Sequence, residues 1–282
     1  AEPVCCIIGG MKTSYHYKAG EYTHQQGIRE GGTMAVLAGA GPMGLSSIDL
    51  ALHGDNRPSL LVITDIDQDR LDRAASIFTP AHAREVGIEL HYFNTAKTET
   101  PVADMRALTG GKGFDDVFVY APVAALCEQA SELLGFNGCL NFFAGPTRPD
   151  FKAPINFYDV HYMGHHVVGS SGGNTADLRD ALDLAAAGRV MPSVMVTHVG
   201  GIDSVAQATM DLTKIPGGKR LVYTHVSMPM TAISDFAAIG KENPLFAALA
   251  EICDRYNGLW SIEAENYLLA NAPRLEEDAL IS

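Results

Sequence analysis

The sequence predicts an α/β fold: a doubly wound sheet of parallel strands with helices on both faces, followed by a helical C-terminal extension. Three observations predict it. From Met34 onward, short β-rich apolar runs alternate with longer amphipathic stretches, the rhythm of βαβ units around a buried sheet. The longer stretches place their apolar residues three and four apart, as a helix with one buried face requires. A glycine-rich turn separates the first apolar run from the first helical stretch.

Taken in order, the expected strands are 34–38, 60–65, 88–93, 115–120, 138–144 and 165–169. Between the first two, Leu45, Ile48 and Leu52 recur at helical spacing and Gly54 supplies a stop. Asp67 can cap a helix whose Leu71, Ala74, Ala75 and Phe78 share a face. Two more helices are expected at 122–135 and 175–188, the second carrying Leu178, Leu182 and Ala185 and ending at Gly188. A strand at 194–199, a helix at 203–213 and a strand at 219–226 follow, the last introduced by the Pro216-Gly217-Gly218 turn. Asn243-Pro244 then starts a helix with Leu245, Leu249, Ile252 and Tyr256 on one side, so 227–282 reads as the helical extension.

Composition narrows the function classes. A chain of 282 residues with 47% hydrophobic content can fill a real core. Its formal charge of -13 repels phosphate backbones and anionic lipid, which argues against nucleic acid and membrane surfaces as partners. No apolar run reaches the roughly 20 residues of a membrane span, nor do the first residues form a signal peptide, so the expected location is cytoplasmic. Cys5, Cys6, Cys127, Cys139 and Cys253 form no Cys-x-x-Cys pair and read as small buried hydrophobes. The opening, Ala1 to Cys6, lacks an initiator methionine and runs straight into an apolar segment, as the middle of a fold would.

The glycine-rich turn carries chemistry. Gly39-Ala40-Gly41-Pro42-Met43-Gly44 is a G-x-G-x-x-G directly after a strand and at the start of a helix. Its first glycine permits the turn, its second lets the backbone approach a pyrophosphate, and its third lets helix and strand pack closely. The helix N-terminus then offers free N–H groups to phosphate. The second strand ends at Asp65, 21 positions beyond Gly44, where a carboxylate can accept from the adenosine ribose hydroxyls of a dinucleotide. The alternative is that Asp65 only starts a turn that Asp67 completes as a cap. Together these features make the sheet a Rossmann-type one and favour NAD, because Asp65 would repel a 2′-phosphate. Arg70 and Arg73 nearby keep NADP possible.

With that motif placed, the chain resembles the zinc-type medium-chain alcohol/polyol dehydrogenases from Glu2 to about Val226. The resemblance rests on Glu2-Pro3, Gly39 to Gly44, Thr64 to Asp67, Thr109 to Asp115, Phe143 to Pro146, Thr197-His198 and Gly218-Lys219, in that order. Glu2-Pro3 resembles the polyol branch of sorbitol and threonine dehydrogenases. The connection Tyr22 to Gly32, the Gly54 to Pro58 segment and the tail look most like the L-sorbose 1-phosphate reductases. The resemblance implies that residues 1–30 are a linker and remnant of a GroES-like catalytic domain, 31–190 the dinucleotide-binding domain, 191–226 a return segment and 227–282 the extension.

It also implies roles. Arg70 would contact the same ribose as Asp65, the nicotinamide would lie near Val119-Tyr120-Ala121 and Phe143-Ala144-Gly145, and Lys219 would reach the cofactor phosphates unless it is a solvated turn lysine. In the family a catalytic zinc polarises the substrate oxygen while hydride passes to or from the nicotinamide. Its cysteine, histidine and glutamate ligands would precede Glu2, leaving Glu2 as the one zinc-adjacent, catalytic candidate here. One carboxylate cannot make such a site, so neither bound zinc nor turnover is expected of these 282 residues. The implied substrate is a small polyol or sugar phosphate, such as sorbitol 6-phosphate or sorbose 1-phosphate, and the implied assembly a homo-oligomer.

Other constellations are weaker. His161 and His165 have i, i+4 spacing, but Gly164 and the strand after it deprive that spacing of helical meaning. His16 either lines a substrate cleft or is a packed histidine. Ser170 to Asn174 reads as a strand-to-helix loop rather than a second anion site, and Lys112 as a turn residue. A competing function of another class is a non-catalytic dinucleotide sensor or scaffold, since such a domain can bind without chemistry.

Overall fold

A computed structural model describes residues 1–18, 20–212, 214 and 217–275, arranged as two compact units, 1–191 and 192–282. Of the expected features, Pro216, Thr213 at the end of the 203–213 helix, and 276–282 of the extension lie outside the described residues. No described helix is long and apolar enough to cross a membrane.

The first unit is built on six parallel strands: β3 (Thr33–Leu37), β4 (Leu60–Asp65), β5 (Glu89–Asn94), β6 (Phe114–Val119), β7 (Leu134–Phe142) and β8 (His166–Gly169). Their order, β5-β4-β3-β6-β7-β8, reverses direction at β3, which makes the sheet doubly wound. The helices between them are α2 (Pro42–His53), α3 (Gln68–Ile77), α4 (Pro80–Glu85), α5 (Pro101–Leu108), α6 (Ala124–Leu133) and α7 (Phe157–Tyr162), and α8 (Thr175–Ala186) follows β8. The Asp67 cap and the Gly54 stop are as predicted, and the Asn174 cap is a finding of the structure. Asp67 caps α3 by accepting from Asp69 N and Arg70 N, Gly54 ends α2, and Asn174 with Asp177 forms a capping box on α8. Ala35, Val62, Phe114, Val117 and Leu140 fill the core on one side of the sheet.

Two departures from the sequence-based expectation have physical causes. β7 begins at Leu134 rather than at 138 because Gly135, Asn137 and Gly138, which look like a turn, form an irregular strand entrance. A Cβ at Gly135 would meet Lys112 O at 2.7 Å, so glycine there permits close approach of the β6 entrance, while Asn137 adopts φ 58°. Residues Glu2–Thr13 form a helix, α1, which the sequence reading left unassigned. Its Val4, Ile7, Ile8 and Met11 are buried, and it packs on α8 and α2, with Gly9 against Gly173 and Gly10 against the Phe143 ring. A short hairpin, β1 (Tyr15–Tyr17) with β2 (His24–Gln26), follows it.

The second unit has a three-stranded sheet in which β9 (Val196–Gly201) pairs in parallel with β10 (Lys219–Tyr223) and antiparallel with β11 (Thr231–Ala232). The helices α9 (Val205–Met210), α10 (Phe236–Ile239), α11 (Pro244–Arg255) and α12 (Ile262–Asn271) complete it. Asn243 caps α11 with Pro244 in its first turn, as predicted, and Phe236, Phe246, Leu249, Trp260 and Leu268 form its core.

Candidate dinucleotide site

At the carboxyl end of β3 the backbone turns sharply. Ala38 sits at φ 55°, and Gly39 N donates to Thr64 O at 2.7 Å, tying the turn to β4 beside Asp65. The glycines divide the work as the motif requires. A Cβ at Gly44 would lie 1.8 Å from Gly39 O and one at Gly39 2.8 Å from Val36, so both are fixed by close packing. A Cβ at Gly41 would meet nothing within 4 Å. Gly41 is the N-cap of α2, no side chain caps it, Pro42 is in the first turn, and no acidic residue neutralises that turn. An uncapped helix N-terminus facing open space attracts an anion, and here the second glycine keeps that space clear.

One strand over, Asp65 is 7% exposed at the end of β4. Its Oδ1 accepts from Ile66 N at 2.9 Å and Asp67 N at 3.1 Å. Both readings of this residue therefore coexist: one oxygen builds the turn, and Oδ2 has no hydrogen-bond partner among the described residues. Arg70 is largely exposed, its Nε 3.4 Å from Asp67 Oδ2.

The strand ends on the other side of β3 are laced together. Tyr120 N donates to Leu37 O at 3.0 Å, and Val119 O accepts from Phe143 N at 3.2 Å and Ala144 N at 3.0 Å. The Tyr120 and Phe143 rings pair at 4.6 Å, while a Cβ at Gly145 would enter open space. Burial raises the Tyr120 phenol, whose hydroxyl lies against Ser47 of α2. This aromatic pair was not singled out as such from the sequence. Only its position after two apolar runs could have signalled it.

Gly39 to Gly44, Asp65, Val119 to Ala121 and Phe143 to Gly145 thus stand at the carboxyl ends of four neighbouring strands. Lys219 opens β10 of the second unit and is exposed. Glu2 is exposed in the first turn of α1 and accepts from Cys6 Sγ at 3.1 Å, and burial raises the Cys6 thiol. Among the described residues no three His, Cys, Asp or Glu side chains converge as a metal site. His16 is packed, 2% exposed, with Nδ1 2.9 Å from Asn137 O and Nε2 3.1 Å from Asp116 Oδ1.

A family profile described as "Zinc-binding dehydrogenase" matches residues 42–187. The chain belongs to that family. Mannitol-1-phosphate 5-dehydrogenase of Aliivibrio fischeri is 49% identical to this chain over 95% of its residues and 64% of the relative's length. L-sorbose 1-phosphate reductase of Klebsiella pneumoniae is 44% identical over 98% of the chain and 64% of its own length. The chain thus spans 64% of each of these curated relatives. Among solved structures, 2R,3R-butanediol dehydrogenase from Bacillus subtilis superposes with a TM-score of 0.61 at 20% identity, covering 79% of this chain and 56% of that one. That likeness agrees with the doubly wound fold.

Proposed function

We propose that the protein binds NAD(P) along the carboxyl ends of β3, β4, β6 and β7. As part of the whole enzyme, it moves a hydride between the nicotinamide and a carbinol carbon of a polyol or sugar phosphate. The observation that carries this reading is the open space over Gly41 at an uncapped helix N-terminus, with a buried carboxylate one strand away. Backbone N–H groups of the α2 first turn hold the pyrophosphate, and Asp65 Oδ2 accepts from a ribose hydroxyl, with Arg70 beside it. Val119 to Ala121 and Phe143 to Gly145 flank the nicotinamide. When bound, that ring supplies the hydride acceptor or donor, and the alcohol loses a hydride and a proton as the ketone forms. The two sugar-phosphate relatives support the substrate class, and Asp65 supports NAD over NADP. A cytoplasmic location belongs to the same proposal.

Zinc does not fit the residues described. Glu2 is a single oxygen ligand engaged with Cys6, and a catalytic zinc needs three protein ligands. Glu2 is therefore proposed only as a zinc-adjacent carboxylate, and the chain is proposed to bind the dinucleotide.

Calorimetric titration with NADH and NADPH tests this. The chain should bind NADH more tightly, and Asp65→Ala should narrow the difference by removing both the ribose acceptor and the repulsion of a 2′-phosphate. Failure to bind either nucleotide would remove the proposal, while an unchanged NADH/NADPH ratio in the variant would remove Asp65 from it.

A further inference from the structure

We propose a two-histidine site for a divalent transition-metal ion of the zinc or nickel kind, formed by His53 at the last turn of α2 and His82 on α4. It lies at the opposite end of α2 from Gly41, about 18 Å along a helix of this length, and does not rest on the dinucleotide reading.

The two Nε2 atoms are 3.1 Å apart and the ring centroids 5.5 Å. His53 Nδ1 stands 2.8 Å from Asp49 Oδ1, and His82 Nδ1 3.3 Å from Glu85 Oε2. With a proton on one Nε2 the contact is a hydrogen bond between the rings; with each imidazole donating its Nδ1 proton to its carboxylate, both Nε2 lone pairs point at one position, which a cation can bridge. Each half also repeats the carboxylate–histidine unit that orients metal ligands and raises their basicity.

The distances suit a metal. Two imidazole nitrogens on one tetrahedral ion at about 2.0–2.1 Å stand about 3.3 Å apart, with ring centroids near about 5.2 Å. Both values are within about 0.3 Å of those found, and His82 has room to adjust, since its side chain is 48% exposed. Asp49 is the rigid anchor: its side chain is 2% exposed, and its Oδ2 accepts from Met191 N at 2.5 Å. Water completes the coordination sphere. The surrounding charge also suits a cation. A cavity of about 550 Å³ beside His53 is lined by Asp49, Asp55, Arg57 and Arg189, and Arg189 is already held by His53 O and Asp55. With Glu85, three carboxylates face two guanidinium groups.

The test is calorimetric titration of the 282-residue chain with zinc chloride, repeated on His53→Gln, His82→Gln and, as a control for a half-buried thiol, Cys6→Ser. Glutamine at 53 keeps a donor for Asp49. One equivalent should bind, each histidine variant should lose about tenfold or more in affinity, and Cys6→Ser should bind as the parent does. Binding that survives both histidine variants, that follows Cys6, or that is absent in the parent overturns the proposal. Should either variant fail to fold, imidazole nitrogen spectra of the parent decide. Zinc must shift the Nε2 resonances of two histidines together, and shifts confined to other histidines, or none, reject the site; a proton shared between the rings would give that second result.

Discussion

His166 shows how a single buried side chain sets a pH response. It is 8% exposed, its Nε2 2.7 Å from Asn137 Oδ1, with the Tyr15 ring at 4.4 Å. Burial first, and then the neighbouring histidines 16, 24 and 165, pull its pKa down to about 4. The unfolded chain, with a histidine near about 6.5, therefore binds the proton more readily. Stability rises as pH climbs from about 4 to about 6.5 and is lost in the reverse direction, by on the order of 3 kcal/mol for this group. His16 acts with the opposite sign. Burial lowers its pKa, but the hydrogen bond and charge of Asp116 outweigh that and hold it above its ordinary value, so its contribution fades as pH rises through that folded value. Urea midpoints at pH 4.5 and pH 7 should accordingly differ less in His166→Asn than in the parent. An equal difference in both would assign the acid sensitivity to other groups.

At the scale of elements, the β3–α2 turn makes the sharpest prediction. Gly44→Ala puts a Cβ 1.8 Å from Gly39 O, which forces helix and strand apart. Gly41→Ala puts one into open space. The first should therefore cost stability by several kcal/mol, as severe overpacking does, while the second should leave the melting temperature near the parent's and weaken NADH binding. If Gly41→Ala bound NADH as the parent does, the phosphates would have to lie elsewhere. The same turn explains what was legible beforehand. Its glycines, the strand before it and the acid at 65 act through the local backbone, which a sequence exposes directly. The five other strands of the parallel sheet were readable for the same reason, as apolar runs bounded by turn residues. Less readable was whatever long-range packing decides. Gly135 and Gly138 look like a turn but admit the β6 entrance, and Gly9 and Gly10 look like helix breakers yet let α1 lie against Gly173 and Phe143. The His53–His82 contact joins residues 29 apart that no local pattern links.

For the whole molecule, the open question is what covers the edge of the large sheet. β8 pairs only with β7, so its outer edge presents unpaired backbone groups among the described residues. The surroundings are apolar for a surface: Val167 is 48% exposed, Phe136 55%, Phe157 76% and Tyr162 62%. With a formal charge of -13 the chain repels copies of itself at long range, so any self-association needs a short-range apolar and hydrogen-bonding seam, and this edge is one. A two-fold axis beside β8 would pair the strand with its copy antiparallel and join the two sheets, satisfying both edges at once. The expected outcome is a dimer by size-exclusion chromatography with light scattering. Val167→Lys, which sets a charge against its symmetry mate, should shift it to monomer at moderate salt without lowering the melting temperature of the monomeric fold. A parent chain that elutes as a monomer at every concentration would leave the β8 edge to a different partner, whereas a dimer indifferent to Val167→Lys would move the seam elsewhere on the surface.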